Sequence, residues 1–265
     1  MTASCYPLEQ ILCTEQRGVV SLTGGGGKTS LLFHLAHALA QTGKKVLTTT
    51  TTRILVPSPE QSRTVIIDAN PEKIVHLAAS HAAPGTHITV AAHKDQNDKL
   101  HGFAPEAIRV FKDSGLFDWI LIEADGAARR PLKAPAEHEP VISPDTTVLV
   151  AVVGLEVLGQ PLSEKLVFRS GLAGPLMGLA VGEVITVAAL SRLFAHPSGS
   201  FKGAPSSARR YIFLNKADTP DRLEYGSRMA SHLRQIIPPI AETLIVGQAL
   251  ARVNVHAVYS LVALT

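Results

Sequence analysis

The chain has 265 residues, 46% hydrophobic and 18% charged, a globular balance that excludes long disordered segments and allows a sizeable core. A formal charge of +3, with the basic pairs Arg129-Arg130 and Arg209-Arg210 forming no stripe, excludes a nucleic-acid surface. Cys5 and Cys13 match no zinc or redox spacing, and polar residues interrupt the first twenty positions, so we expect a cytoplasmic protein without an export leader. The apolar stretches 148–155 and 171–182 fall short of the roughly 20 residues that cross a bilayer and read as buried elements, with no membrane partner.

Short β-rich runs alternate with helical stretches, the pattern of a mostly parallel sheet covered on both faces. In chain order we expect a strand over 19–23, a helix over 29–42, strands over 45–50 and 64–68, a helix over 71–80 and a strand over 86–92. A helix over 105–114, strands over 119–123 and 147–153, a helix over 184–194, a strand over 211–214, a helix over 221–237 and a strand over 243–246 complete the set. The segment 196–207 is rich in Pro, Gly and Ser and reads as an exposed loop rather than a linker, so residues 1–265 are expected to form one domain.

The first strand runs into Gly24-Gly25-Gly26-Gly27-Lys28-Thr29-Ser30 and then an apolar helix. Strand, glycine loop and helix together make a phosphate cradle: backbone amides and the helix N-terminus receive the phosphates, Lys28 pairs with them, and the Thr29 hydroxyl serves Mg²⁺. Only Gly27-Lys28-Thr29 fits the full Walker spacing, because Leu22 stands where that pattern has glycine. Lys28 is expected to serve the phosphates alone, with no part in the core.

The apolar strand over 119–123 ends in Glu123 and, two residues on, Asp125. Beside the glycine loop, these carboxylates are candidates for Mg²⁺ ligation and catalysis with Lys28. A later strand runs into Asn215-Lys216-Ala217-Asp218, a tetrapeptide whose Asp can accept from guanine N1 and N2. That favours GTP over ATP. The loop after Asp125 carries Lys133 and the triplet Glu137-His138-Glu139; with no ligand spacing, the triplet reads as a solvated surface.

At these blocks the chain resembles the YqeC family, accessory proteins of selenium-dependent molybdenum hydroxylase systems. The resemblance rests on the loop at 25–30, Thr-Thr-Thr-Thr-Arg at 49–53, Glu-Ala-Asp-Gly-Ala at 123–127, Pro-Leu-Lys-Ala-Pro-Ala-Glu-His-Glu-Pro-Val-Ile at 131–142, the block 153–162 and Asn215-Lys-Ala-Asp218. It departs from the expected pattern at Phe168, where a His should precede Arg169. The resemblance implies a three-layer α/β P-loop NTPase fold, a role in maturing or inserting the cofactor of a molybdenum hydroxylase, and kinship with metallochaperone GTPases that work as homodimers. The leading expectation is therefore a Mg²⁺-dependent GTPase. The alternatives are a small-molecule kinase and a nucleotide sensor without turnover.

Overall fold

The computed structural model describes residues 7–250 and 253–262; Cys5 lies outside them. The strands are β1 (Gly18–Gly24), β2 (Val46–Thr50), β3 (Arg53–Leu55), β4 (Thr64–Ile67), β5 (His87–Ala91), β6 (His93–Lys94), β7 (Lys99–His101), β8 (Trp119–Glu123), β9 (Leu132–Lys133), β10 (Val148–Gly154), β11 (Val167–Phe168), β12 (Arg209–Asn215), β13 (Thr243–Ala249) and β14 (Val253–Ser260). The α-helices are α1 (Leu8–Leu12), α2 (Lys28–Gln41), α3 (Pro71–Ala79), α4 (Ile108–Asp113), α5 (Ser170–Met177), α6 (Val187–Ala195) and α7 (Pro220–Leu233).

Nine strands form the central sheet in the order β14-β13-β12-β10-β1-β8-β2-β5-β4. Neighbours run parallel except β13 and β14, which are antiparallel. The parallel centre follows from composition: β10 reads Val-Leu-Val-Ala-Val-Val-Gly and is buried at every position, as a strand covered on both faces must be. Side-chain alternation divides the core into two layers. Val20, Leu22, Leu121 and Val150 meet Leu31, Leu32, Leu35 and Leu39 of α2. Val19 and Ile120 face Ile74 of α3 and Phe111 of α4, while Leu149 and Ala151 face Met177 of α5, Leu190 of α6 and Met229 of α7. The protein is thus a three-layer α/β structure. No helix among the described residues is long and apolar enough to cross a membrane.

The chain leaves β1 through α2 to reach β2 on one side, while β10, which follows β8, lies on the other side of β1. The strand order reverses there, so a crevice opens outside the carboxyl ends of β1, β8 and β10. The glycine loop, Glu123 and Asp125 all sit at that edge.

Several expected elements differ in detail. The helix expected over 105–114 starts as a 3-10 turn, Pro105–Ala107, before α4. The stretch 171–182, expected to be buried, is mostly not: Leu172 and Val181 are exposed, and the stretch overlaps α5, whose Pro175 and two glycines mask its helical character in sequence. The segment 196–207 contains no regular element, yet it is only partly exposed: Phe201 is buried, and Lys202 Nζ donates to Ala136 O at 2.7 Å and Glu137 O at 2.6 Å.

Candidate functional site

The glycine run does two jobs. Gly26 has φ 72° and Gly27 φ 115°, and a Cβ would meet Gly154 N at 2.2 Å in the first case and Asn215 Nδ2 at 2.4 Å in the second. Only glycine fits such a close approach with a left-handed backbone. The amides of Gly24, Gly25 and Gly26 are used within the protein, donating to Asp125 Oδ2 (3.1 Å), Val152 O (2.9 Å) and Arg130 O (3.0 Å). This first half of the run fastens the loop to β10 and to the 126–130 turn.

The second half is open. The amides of Gly27, Lys28, Thr29 and Ser30 have no partner among the described residues. They are the orphan donors at the start of the 14-residue helix α2, where the dipole also favours an anion. They face a cleft of about 830 Å³ whose walls include Thr52, Gly126, Arg129, His138 and Lys216.

A buried network of alternating charge underlies this opening. Lys28 Nζ donates to Gly24 O at 2.5 Å and lies 3.1 Å from Asp125 Oδ1 and 3.8 Å from Glu123 Oε1. Thr29 Oγ1 donates to Glu123 Oε2 at 2.7 Å. Asp125 Oδ2 in turn lies 3.1 Å from Lys133 Nζ, which donates to Gly126 O at 2.7 Å and to Glu139 Oε2 at 2.6 Å; Arg169 closes the chain on Glu139. Burial alone would lower the proton affinity of Lys28, but Asp125 and then Glu123 outweigh it and hold the ammonium charged. Burial raises the Glu123 carboxyl more strongly than Lys28 and the Thr29 hydroxyl lower it. The two directions are compatible because Asp125, not Glu123, is the nearer partner of Lys28.

This donor set fits a triphosphate with Mg²⁺. Unpartnered amides and a charged lysine suit phosphate, and the adjacent oxygens of Thr29 and Glu123 are hard donors. No cluster of three or more His, Cys, Asp or Glu capable of holding a metal occurs among the described residues, so an ion here would draw further ligands from phosphate oxygens and water. Asp125 is engaged by two ammonium groups and the Gly24 amide, which leaves Glu123 as the freer carboxylate.

The Asn215-to-Asp218 segment reaches the loop through its first residues. Asn215 Nδ2 donates to Gly26 O at 2.7 Å, while its Oδ1 accepts from the amides of Lys216 and Ala249, each at 2.8 Å. Lys216 adopts φ 63°, lines the cleft and pairs with Glu156. Asp218 is exposed and pairs with Arg222 at the start of α7.

Glu139 is where the structure corrects the solvated-loop expectation: it joins Lys133 to Arg169, while Glu137 and His138 remain exposed. Lys133 precedes it by only six residues, a sequence signal for the pair, whereas Arg169 is 30 residues away. Phe168 lines the cleft, with the Arg169 guanidinium 4.4 Å and the Arg130 guanidinium 5.4 Å from its ring centroid. This cation–π stack occupies the place where a histidine was expected.

Glu139 also sets an acid limit on stability. Burial would raise its carboxyl, but the hydrogen bonds from Arg169 and Lys133 hold it down at about 2. A depressed pKa means that its stabilisation is fully present above the ordinary value of 4.5 and drains away as pH falls toward 2. With solvent reaching one side, we expect roughly 1–2 kcal/mol from this residue. Denaturant unfolding of Glu139→Gln should show that deficit at pH 7, a shrinking one between pH 4.5 and 2, and little of it below pH 2. A deficit independent of pH would mean that the ion pairs contribute nothing.

Comparisons of the sequence with known proteins point to a family. The model of the family described as YqeC protein matches residues 20–171. Over 219 residues, covering 82% of this chain and 83% of its own length, Uncharacterized protein YqeC of Escherichia coli (strain K12) is 37% identical. The matched span contains the glycine loop, Glu123, Asp125, Lys133, Glu139 and Arg169, and by these two matches the chain belongs to the YqeC family.

Proposed function

We propose that this protein binds GTP with Mg²⁺ in the cleft at the start of α2 and hydrolyses it, as an accessory step in maturing or loading a molybdenum hydroxylase. The observation that carries the nucleotide reading is the set of four unpartnered amides, Gly27 to Ser30, beside the buried Lys28 and the Thr29–Glu123 pair. In this reading Lys28 and the amides grip the phosphates, and Thr29 with Glu123 holds Mg²⁺, which neutralises charge on the transferred group. Glu123, with its raised proton affinity, also suits the task of orienting an attacking water. Asp125 holds Lys28 and the Gly24 amide in place.

The guanine preference rests on Asn215 to Asp218. Asn215 ties this segment to the glycine loop, so base and phosphate contacts share one rigid frame. Asp218 must exchange its Arg222 partner for the guanine edge. Asp218→Asn replaces an acceptor with a donor, and a mismatched polar group costs roughly 1–3 kcal/mol. Xanthosine triphosphate should then gain about tenfold or more relative to GTP. Competition binding of GTP, ATP and xanthosine triphosphate checks this, and a wild-type preference for ATP, or a variant that keeps the GTP preference, sinks the guanine reading. Phosphate release without an acceptor supports hydrolysis; transfer that needs an acceptor supports a small-molecule kinase.

A further inference from the structure

The cleft is more positive than a nucleotide requires. Seven of its lining residues are Lys or Arg and two are Glu, in a chain whose formal charge is only +3. Half of a triphosphate's charge is cancelled by its own Mg²⁺, and Lys28 with the amides at the start of α2 is placed to answer part of the rest. Several of the cations are already committed: Lys28 to Asp125, Arg130 to Glu164, Arg169 to Glu139 and Lys216 to Glu156. Among the described residues, Arg53, Lys99 and Arg129 have no carboxylate partner.

Their placement follows from local structure. The strands β3, β7 and β6 form a small antiparallel sheet in which Leu55 pairs with Lys99 and Arg53 with His101. Ile54 and Leu100, on its other face, are buried with Ala91. Strand alternation therefore puts Arg53 and Lys99 together on the solvent face, where both line the cleft. Arg129 comes from the 126–130 turn, where Ala128 (φ 47°) and Arg129 (φ 61°) are consecutively left-handed. Such a conformation is costly for residues other than glycine and persists where the surroundings enforce it. Here the Arg130 carbonyl accepts from Gly26 N at 3.0 Å and Arg130 N donates to Ala127 O at 2.9 Å, which pins the turn to the glycine loop.

We infer that Arg53 and Lys99, with Arg129 on the turn beside the glycine loop, form a second anion subsite in the same cleft that receives a small phosphate-bearing organic ligand beside the nucleotide. Two arginines supply the planar forks suited to phosphate, and Lys99 supplies a point charge. The inference deepens the nucleotide reading by naming the class of second ligand, and it stands on residues distinct from Lys28, Thr29 and Glu123.

The test is calorimetric titration of inorganic pyrophosphate into wild type and Arg53→Ala/Lys99→Ala, with and without saturating Mg²⁺ and a non-hydrolysable GTP analogue. Both substituted residues are exposed, so the fold should persist, and circular dichroism checks that it does. Wild type should bind pyrophosphate in both conditions. The double variant should bind it about tenfold more weakly in the analogue-saturated state, and analogue affinity should change less than twofold. Equal pyrophosphate affinity in the variant, or complete displacement of pyrophosphate by the analogue, overturns the second subsite. If the analogue fails to bind wild type while pyrophosphate binding still depends on Arg53 and Lys99, the nucleotide reading fails and the anion subsite stands.

Discussion

Lys28→Ala is expected to weaken triphosphate binding by a hundredfold or more, and to destabilise the protein as well. The affinity loss follows from charge: hydrogen bonds to an ionised group are worth roughly 1.5–3 kcal/mol each, and about 1.4 kcal/mol is one decade. The stability loss departs from the expectation that this lysine serves the phosphates alone. Lys28 is 4% exposed and sits 3.1 Å from Asp125 Oδ1, so its removal strips a counter-charge from buried carboxylates. Breaking one partner of a buried ion pair costs roughly 3–5 kcal/mol. Lys133 stays on Asp125 and the Glu123 carboxyl is already pushed toward protonation by burial, so the cost should fall at the lower end of that range. Calorimetric binding, run at a temperature where circular dichroism shows the variant folded, separates the two effects. Unchanged affinity in the folded variant removes Lys28 from the phosphate site, whatever its stability.

The sequence is most readable where the chain is simplest. The apolar runs of β8 and β10, buried at every position, could only be central strands, and they place Glu123 at the carboxyl edge beside the glycine loop. The helix α2 was equally plain, because Leu31, Leu32, Leu35 and Leu39 recur at helical spacing. What escaped was set by contacts distant in sequence. β14 is half-exposed and antiparallel, and its pattern lacks the full burial that marks its neighbours. β6 and β7 have two and three residues, too few to show a period. The glycine run was legible as a phosphate loop, but not its division into a half that packs against Val152 and Arg130 and a half that stays open. Nor could spacing show that Glu139 meets Arg169, since a fold must first bring β9 beside β11.

Lys133→Met should be the most destabilising single change at the site, at about 3–5 kcal/mol. Its ammonium joins three acceptors: Asp125 at 3.1 Å, Glu139 at 2.6 Å and the Gly126 carbonyl at 2.7 Å. Its side chain is 1% exposed, so water cannot replace it. Methionine fills nearly the same volume, which keeps the loss electrostatic rather than a cavity effect. With Lys133 gone, Asp125 has Lys28 as its only ammonium partner among the described residues and should compete more strongly with the phosphates for it, so triphosphate affinity should also fall, although Lys133 is absent from the cleft lining. Removing the other end of the pair tests the coupling. If Lys133 and Glu139 act through each other, Lys133→Met/Glu139→Gln should cost less than the two single changes added together, with an interaction of roughly 0.5–3 kcal/mol. Chemical denaturation of the four proteins in this cycle measures it, and strict additivity, or a Lys133→Met loss under about 1 kcal/mol, would show that the network carries no cooperative stability.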